Sequence, residues 1–393
     1  MQTLLQKHPL LTIVLAQLFG TSLWFSINGV WLSYASMYGL NDSYLGYLTL
    51  SVQFGFILGT LLLAISGLAD RFKASQIFAI ACFMGAGVNL LMTLTQATLA
   101  LDMLVRFLTG VCLAGIYPLG MKLVISWTPK YAGAALAWLV GMLTLGTSMP
   151  HLLRGITLGM PWQWPITAAS IFAVLGGLVV LMLGTGEHLP KQPSKMNLGK
   201  GFLALKLPNF RAVAGGYFGH CWELYAFWML VPLLVSREVA RLNLSLDLVS
   251  IVSFLIIGLG ALGCILGGIL SKSIGSLLVA KTALYVSGFI CLLYPFVSGL
   301  SPILIFVLLM IWGVAVIADS PQFSALAALN APVDSLGSSL AMMNAIGFAL
   351  TIPSIWITSL LWNDMGPWVV LWLLPGPVLG LWALQKMKAS HQE

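Results

Sequence analysis

Charged residues are scarce in this sequence: Asp, Glu, Lys and Arg together make up 7% of its 393 residues, against roughly 25% in an average soluble domain. With 59% hydrophobic residues and a mean hydropathy of +0.98, no soluble core could absorb the apolar surface, which excludes a water-soluble globular protein. A phosphate-cradling Gly-x-x-x-x-Gly-Lys-Ser/Thr loop is missing too, which excludes an ATP-driven pump of that kind and leaves an ion gradient as the energy source. The five cysteines, Cys82, Cys112, Cys221, Cys264 and Cys291, all fall inside apolar stretches without metal-like spacing. They read as small packing residues, so no disulfide, metal or cofactor is expected. One lysine precedes the first apolar stretch and no small-residue cleavage site comes after it, so that stretch reads as an uncleaved helix rather than a signal peptide.

What is present is about twelve apolar runs of some 20 residues, the length that crosses ~30 Å of hydrocarbon. They begin near Leu10, Ser43, Ala74, Leu99, Ala132, Pro165, Phe210, Leu246, Ser276, Pro302, Gly337 and Pro367, and are called spans 1 to 12. With a cytoplasmic amino terminus, Lys7, Arg71, Lys73, Lys130, Lys191, Lys195, Lys200, Lys206, Arg211, Lys272, Lys386 and Lys388 fall inside. The outer loops would hold little beyond Arg237 and Arg241, with Arg154 at a span edge. That asymmetry predicts both termini in the cytoplasm. The net charge of +7 is therefore a topology signal, and nucleic acid is not expected as a partner.

The spans repeat. Gly110, Pro118, Pro129 and Pro150 recur 203 positions later (313 − 110 = 203) as Gly313, Pro321, Pro332 and Pro353. Pro9 and Gly20 recur as Pro208 and Gly219; Gly59, Gly67 and Arg71 as Gly260, Gly268 and Lys272. Prolines and close-packing glycines cannot be placed freely in membrane helices, because neighbours must re-satisfy the freed backbone groups. Matched punctuation thus predicts matched helices, and repeats of this size mark transporter folds. The expected architecture is all-α: residues 1–186 as an amino-terminal six-helix half, 187–207 as a cytoplasmic linker, and 208–393 as a carboxy-terminal six-helix half.

Polar groups inside membrane spans are functional candidates by default. Span 7 reads His220-Cys221-Trp222-Glu223-Leu224-Tyr225, with Trp228 one turn on. His220 and Glu223 share a helix face; Glu223, near the midplane, is a candidate proton carrier tuned by His220. Trp222, Tyr225 and Trp228 could present ring faces to a planar solute, or pack. Span 10 carries Asp319-Ser320-Pro321-Gln322, the repeat-mate of Tyr117-Pro118 in span 4; a proline at that depth bends the helix amid polar groups, as a binding or gating helix would. Lys122, sixteen residues after Arg106 in span 4, falls toward the cytoplasmic end, and span 1 offers Gln17, Trp24 and Asn28 as polar and stacking partners.

Two elements resemble the major facilitator superfamily. Gly67-Leu68-Ala69-Asp70-Arg71 is similar to that family's loop after span 2, without its later glycine and paired arginines; the second-half copy, Gly268 to Gly275, keeps both glycines but places Lys272 at the acidic position. The resemblance implies that Asp70 and Arg71 staple the cytoplasmic helix ends during alternating access. Arg106-Phe107-Leu108-Thr109-Gly110 resembles the family's Arg-x-x-x-Gly element, which implies an arginine facing the central cavity. The segments around Tyr117 to Lys122, His220 to Trp228 and Asp319 to Ser324 look most like bacterial cyanate permeases and nitrate/nitrite porters, although spans 2 and 8 lack the arginines of the nitrate branch. The resemblance further implies a non-enzymatic, proton-coupled symporter of the cytoplasmic membrane, a monomer in the lipid bilayer. Its small-molecule substrate would be an organic or inorganic anion held by Arg106, with Tyr117, Trp24, Asn28, Gln17, Trp222, Tyr225, Trp228 and Gln322 around it. Glu223, Asp319 and His220 would carry the proton, and Asp70, Arg71, Pro118, Pro321 and Lys122 would gate. The alternative is a proton-driven efflux pump for amphipathic compounds.

Overall fold

The computed structural model describes residues 2–128, 132–188, 198–332 and 335–387. Lys130, Pro129, Lys191, Lys195, Lys388 and the centre of the expected linker lie outside the described residues, as does the side chain of Lys200. Among the described residues the secondary structure is helical throughout. Ten helical runs are long and apolar enough to cross a bilayer, and Pro9–Thr21 is a shorter apolar helix. The run from Leu336 to Gln385 is 50 residues, about 75 Å if it were one straight helix and more than twice the hydrocarbon thickness. It divides at Gly366 (φ 53°) into Leu336–Met365 and a second arm ending in Pro375–Gln385, both packed against Pro208–Arg241. Twelve spans result among the described residues.

The repeated prolines produce repeated shapes. Pro9 and Pro208 open spans 1 and 7 at the first helical positions, where a missing N–H is harmless. Span 4 breaks between Leu99–Ala114 and Tyr117–Trp127, and span 10 between Pro302–Ala318 and Ser320–Asn330. In both cases the proline, Pro118 or Pro321, sits at the start of the second segment. Pro150 and Pro353 lie inside spans 5 and 11. Span 1 is broken as well, into Pro9–Thr21, Ser26–Gly29 and Trp31–Tyr38, whereas its partner span 7 runs unbroken for 34 residues.

Close packing repeats with the breaks. A β-carbon on Gly110 of span 4 would collide with the Val52 carbonyl of span 2, and one on Gly313 of span 10 with the Ile256 carbonyl of span 8. Small residues are what let membrane helices approach to van der Waals contact without help from a hydrophobic effect. The two halves then meet along spans 2 and 11 and along spans 5 and 8. Arg237 and Arg241, expected in an outer loop, instead belong to the last turns of span 7. They clasp the buried Glu238 between them, and Arg241 also donates to the carbonyls of Ser298, Gly299 and Leu300.

Gly110→Val is expected to destabilise the protein by about 1–3 kcal/mol through overpacking. A β-carbon at Gly87 meets nothing within 4 Å, so Gly87→Ala is expected to be neutral or stabilising. Thermal unfolding of both variants in one detergent tests this, and equal midpoints would contradict the packing at Gly110.

Candidate functional site

Residues 22–25 turn out of the helix in span 1, which leaves the Leu23 carbonyl with only a long bond from Ser26 N–H (3.5 Å) and the Trp24 carbonyl without a backbone donor. Arg106 of span 4 fills that place. Its guanidinium donates to the carbonyls of Leu23 (3.2 Å) and Trp24, to Ser26 Oγ (3.0 Å) and to Asn89 Oδ1 (3.4 Å). Asn89 of span 3 passes the link on to Ser170 Oγ and the Ile166 carbonyl of span 6. An arginine in hydrocarbon is tolerated when protein dipoles surround it, and here a broken helix supplies them. Arg106 is 0% exposed and faces the interior of its own half. This departs from the expectation of an arginine presented to the central cavity.

The second half hides a carboxylate in a comparable place. Glu223 of span 7 accepts from Ser287 Oγ of span 9 (2.9 Å) and from Trp312 Nε1 of span 10 (2.7 Å). It points into the second half, not toward the first. Trp222 also turns away from the centre: its Nε1 donates to the Trp372 carbonyl of the last span (2.8 Å), because its position on the helix is one step round from Tyr225. Gln322 lies beside Gly267 of span 8, and Gln17 sits fully buried against Gly120 of span 4. None of these four side chains, Glu223, Trp222, Gln322 or Gln17, lines the space between the halves.

That space is closed by a layer of rings. Trp24 packs on Phe56 (4.7 Å between centroids) and Tyr225 (5.6 Å), Phe348 packs on Phe56 (4.7 Å) and Tyr225 (5.5 Å), and Trp228 meets Tyr225 (5.3 Å) and Phe25 (5.9 Å). Spans 1 and 2 of one half thereby contact spans 7 and 11 of the other. One polar chain fixes the layer: Trp24 Nε1 donates to Gln53 Oε1 (2.8 Å), and Gln53 Nε2 donates to Thr351 Oγ1 of span 11 (3.2 Å). On the side of the chain termini the layer covers a small cavity lined by Tyr117, Tyr217, His220, Tyr225, Ser320 and Phe348, among others, with about 20 Å³ of space, room for one water. On the opposite side a larger vestibule of about 230 Å³ begins at Asn28 and Gly29.

Beside the small cavity stands a titratable pair. His220 Nδ1 of span 7 lies 2.7 Å from Asp319 Oδ1, at the break of span 10, and the two side chains are 2% and 1% exposed. Tyr217 stacks on the imidazole and Phe323 tilts against it. The pair couples the discontinuous helix to the cavity wall. At the terminal side of span 4, Lys122 Nζ donates to the Ala69 carbonyl (2.5 Å) in the short helix Leu68–Arg71. Arg71 of that helix is exposed; the side chain of Asp70 lies outside the described residues.

Four groups carried no signal in the sequence. Asp102, at the far end of span 4, accepts from Tyr34 (2.6 Å) and Tyr44 (2.7 Å). Gln53, Thr351 and Phe348 build the central layer. Asp102 has the look of a loop-edge residue, and nothing in spans 2 or 11 distinguishes the inward-facing Gln53 and Phe348 from packing.

Paired six-helix halves, discontinuous helices around a central cavity and a closed layer between that cavity and a vestibule define a carrier-type membrane protein. Over residues 11–355 the sequence matches the Major Facilitator Superfamily, and the chain belongs to that family of transporters. Its fold is similar to a bacterial homologue of the human lysosomal transporter Spinster in an inward-facing, unoccupied conformation (16% identity, 97% of this chain and 94% of that one, TM-score 0.67). It is also similar to the nucleoside transporter NupG (14% identity, 96% and 99%, TM-score 0.72). No protein of curated function matches the sequence. The chain is thus a multi-pass membrane protein of a solute-transporting family.

Arg106→Ala is expected to cost at least about 1–3 kcal/mol, since it leaves the buried Trp24 carbonyl without a donor and the Leu23 carbonyl with only a long one. Glu223→Gln keeps an acceptor for Trp312 Nε1, and its amide N–H can donate to Ser287 Oγ while that hydroxyl donates to the Leu284 carbonyl, so it should stay within about 1 kcal/mol of wild type. Unfolding midpoints in detergent compare the two, and a stable Arg106→Ala protein would argue against the clamp.

Proposed function

We propose that the protein is a secondary transporter that couples a small organic solute to protons by alternating access, with His220 and Asp319 as the coupling pair. The observation that carries this reading is the 2.7 Å His220–Asp319 approach at the break of span 10, beside a small cavity between the halves. Opening the cavity to one face or the other would change the water available to the pair, and with it the ease of holding a proton. Tyr117 and Tyr225 supply ring faces to the cavity, Trp24 and Trp228 the layer that closes it, and Pro118 and Pro321 the points at which spans 4 and 10 bend. Lys122 and the Leu68–Arg71 helix latch the terminal side. Glu223 is a second proton-carrying candidate, acting through Trp312 rather than on the solute.

The solute is net uncharged or cationic with an apolar face. Rings and His220, which is paired with Asp319 behind it, line the cavity, and Arg106 is engaged by carbonyls, which weakens support for an anion held there. The narrower resemblance to cyanate permeases and nitrate/nitrite porters, which would favour an anion, rests on sequence elements alone. Lys7, Arg71, Lys206, Arg211, Lys272 and Lys386 share the terminal face, in keeping with cytoplasmic termini in an inner membrane. The protein would act as a monomer.

A thermal-shift screen at two pH values would name the solute class, since a ligand at ~100 times its dissociation constant adds about 2.7 kcal/mol. Neutral or cationic aromatic solutes are expected to stabilise the protein; stabilisation by inorganic anions alone, lost in Arg106→Ala, would restore the anion reading. In vesicles loaded with the solute so found, Asp319→Asn is expected to abolish accumulation driven by a pH gradient while counterflow exchange continues. Loss of both activities would remove Asp319 from the coupling role. The ring-lined cavity also suits an efflux pump for amphipathic compounds, and raised drug sensitivity of a deletion strain would favour that direction of transport.

A further inference from the structure

The vestibule on the face opposite the termini has a chemistry unlike that of the central cavity. Its walls come from both halves: Asn28 and Ser33 of span 1, His151 and Arg154 of span 5, and, across the gap, Asp247 and Ser250 at the start of span 8. At its inner end Asn28 and His151 are 2% and 1% exposed, yet Asn28 Oδ1 and His151 Nε2 have no hydrogen-bond partner. Asn28 is held in place by its own amide N–H, which donates to Thr49 Oγ1 (3.2 Å). Arg154 is oriented from outside by its bond to the Met160 carbonyl (2.9 Å), and Asp247 by Ser245 (2.9 Å). A buried polar atom without a partner is unfavourable, so two of them facing one cavity call for something to bind.

We infer that this vestibule is a binding site for a small zwitterion of the α-amino acid type. The demands are complementary. Arg154 offers a guanidinium fork, which suits a carboxylate, and His151 Nε2 can donate beside it. Asn28 Oδ1 and the Asp247 carboxylate can only accept, which suits an ammonium group. An inorganic anion would leave both acceptors facing it, and a simple amine would leave the guanidinium unmatched. Because Arg154 belongs to one half and Asp247 to the other, a bound zwitterion would bridge the halves and hold this face closed or order it for closure. The site stands independently of whether the central pair carries protons.

A thiol introduced at the vestibule wall reports on it directly. All five native cysteines are buried, so Ser33→Cys supplies the accessible thiol in the full chain reconstituted in vesicles. L-alanine is the probe; propanoate and ethylamine each carry only one of its charged groups. L-alanine is expected to slow labelling of Ser33→Cys by a membrane-impermeant maleimide at least three-fold, with neither control doing so at equal concentration. Adding Arg154→Ala should abolish the protection, and adding Asp319→Asn should leave it intact. Protection by propanoate alone, or no protection by L-alanine at millimolar concentrations, would overturn the proposal. Protection that survives Arg154→Ala but vanishes in Asp319→Asn would overturn it too, by locating the probe in the central cavity.

Discussion

The structure depends on how a charge and a broken helix are made to satisfy each other in hydrocarbon. Span 1 cannot turn at residues 22–25 without exposing carbonyls, and span 4 cannot carry Arg106 without a counterpart for its guanidinium. Each defect is the other's remedy. The clamp then places Trp24 and Phe25, the residues of the turn itself, at the interface between the halves, where they become part of the ring layer. Asn89 and Ser170 extend the same network through spans 3 and 6, so spans 1, 3, 4 and 6 of the amino-terminal half are keyed to one side chain.

The carboxy-terminal half solves the same problem with the opposite charge. Glu223 takes hydrogen bonds from spans 9 and 10, and span 7 remains continuous because a carboxylate asks for donors, which Trp312 and Ser287 provide, rather than for freed carbonyls. The two halves share glycine contacts and proline breaks but not their buried chemistry. Their interface is therefore left to helix packing along spans 2 and 11 and spans 5 and 8, to aromatic surfaces and to one amide-hydroxyl chain, while the His220–Asp319 pair stays within the second half.

Much of this was legible in the residues. Composition required a membrane, and the spacing of Pro118 and Pro321 located the breaks of spans 4 and 10, because proline acts on its own backbone wherever it stands. Direction was not legible. Arg106, Glu223 and Trp222 each stand out as unusual, yet a helix offers several azimuths, and which one faces the partner half depends on crossing angles set by distant glycines. Sequence spacing puts Trp222, Tyr225 and Trp228 near one face, and a modest rotation of span 7 sends the first to span 12 and the other two to the centre. Gln53 and Thr351 were invisible for a different reason: a single amide or hydroxyl in an apolar run carries no signal until its partner on another span is known.

The ring layer has an electrical consequence. Protons cross protein interiors along files of hydrogen-bonded water, and such a file cannot form through stacked apolar faces that leave room for a single molecule on one side. With Trp24, Tyr225 and Phe348 in contact, the layer acts as an insulator against leakage driven by the membrane potential. A protein that spans a bilayer with a cavity on either side of such a layer must prevent that short circuit at every moment of its cycle, and here the barrier is one side chain thick.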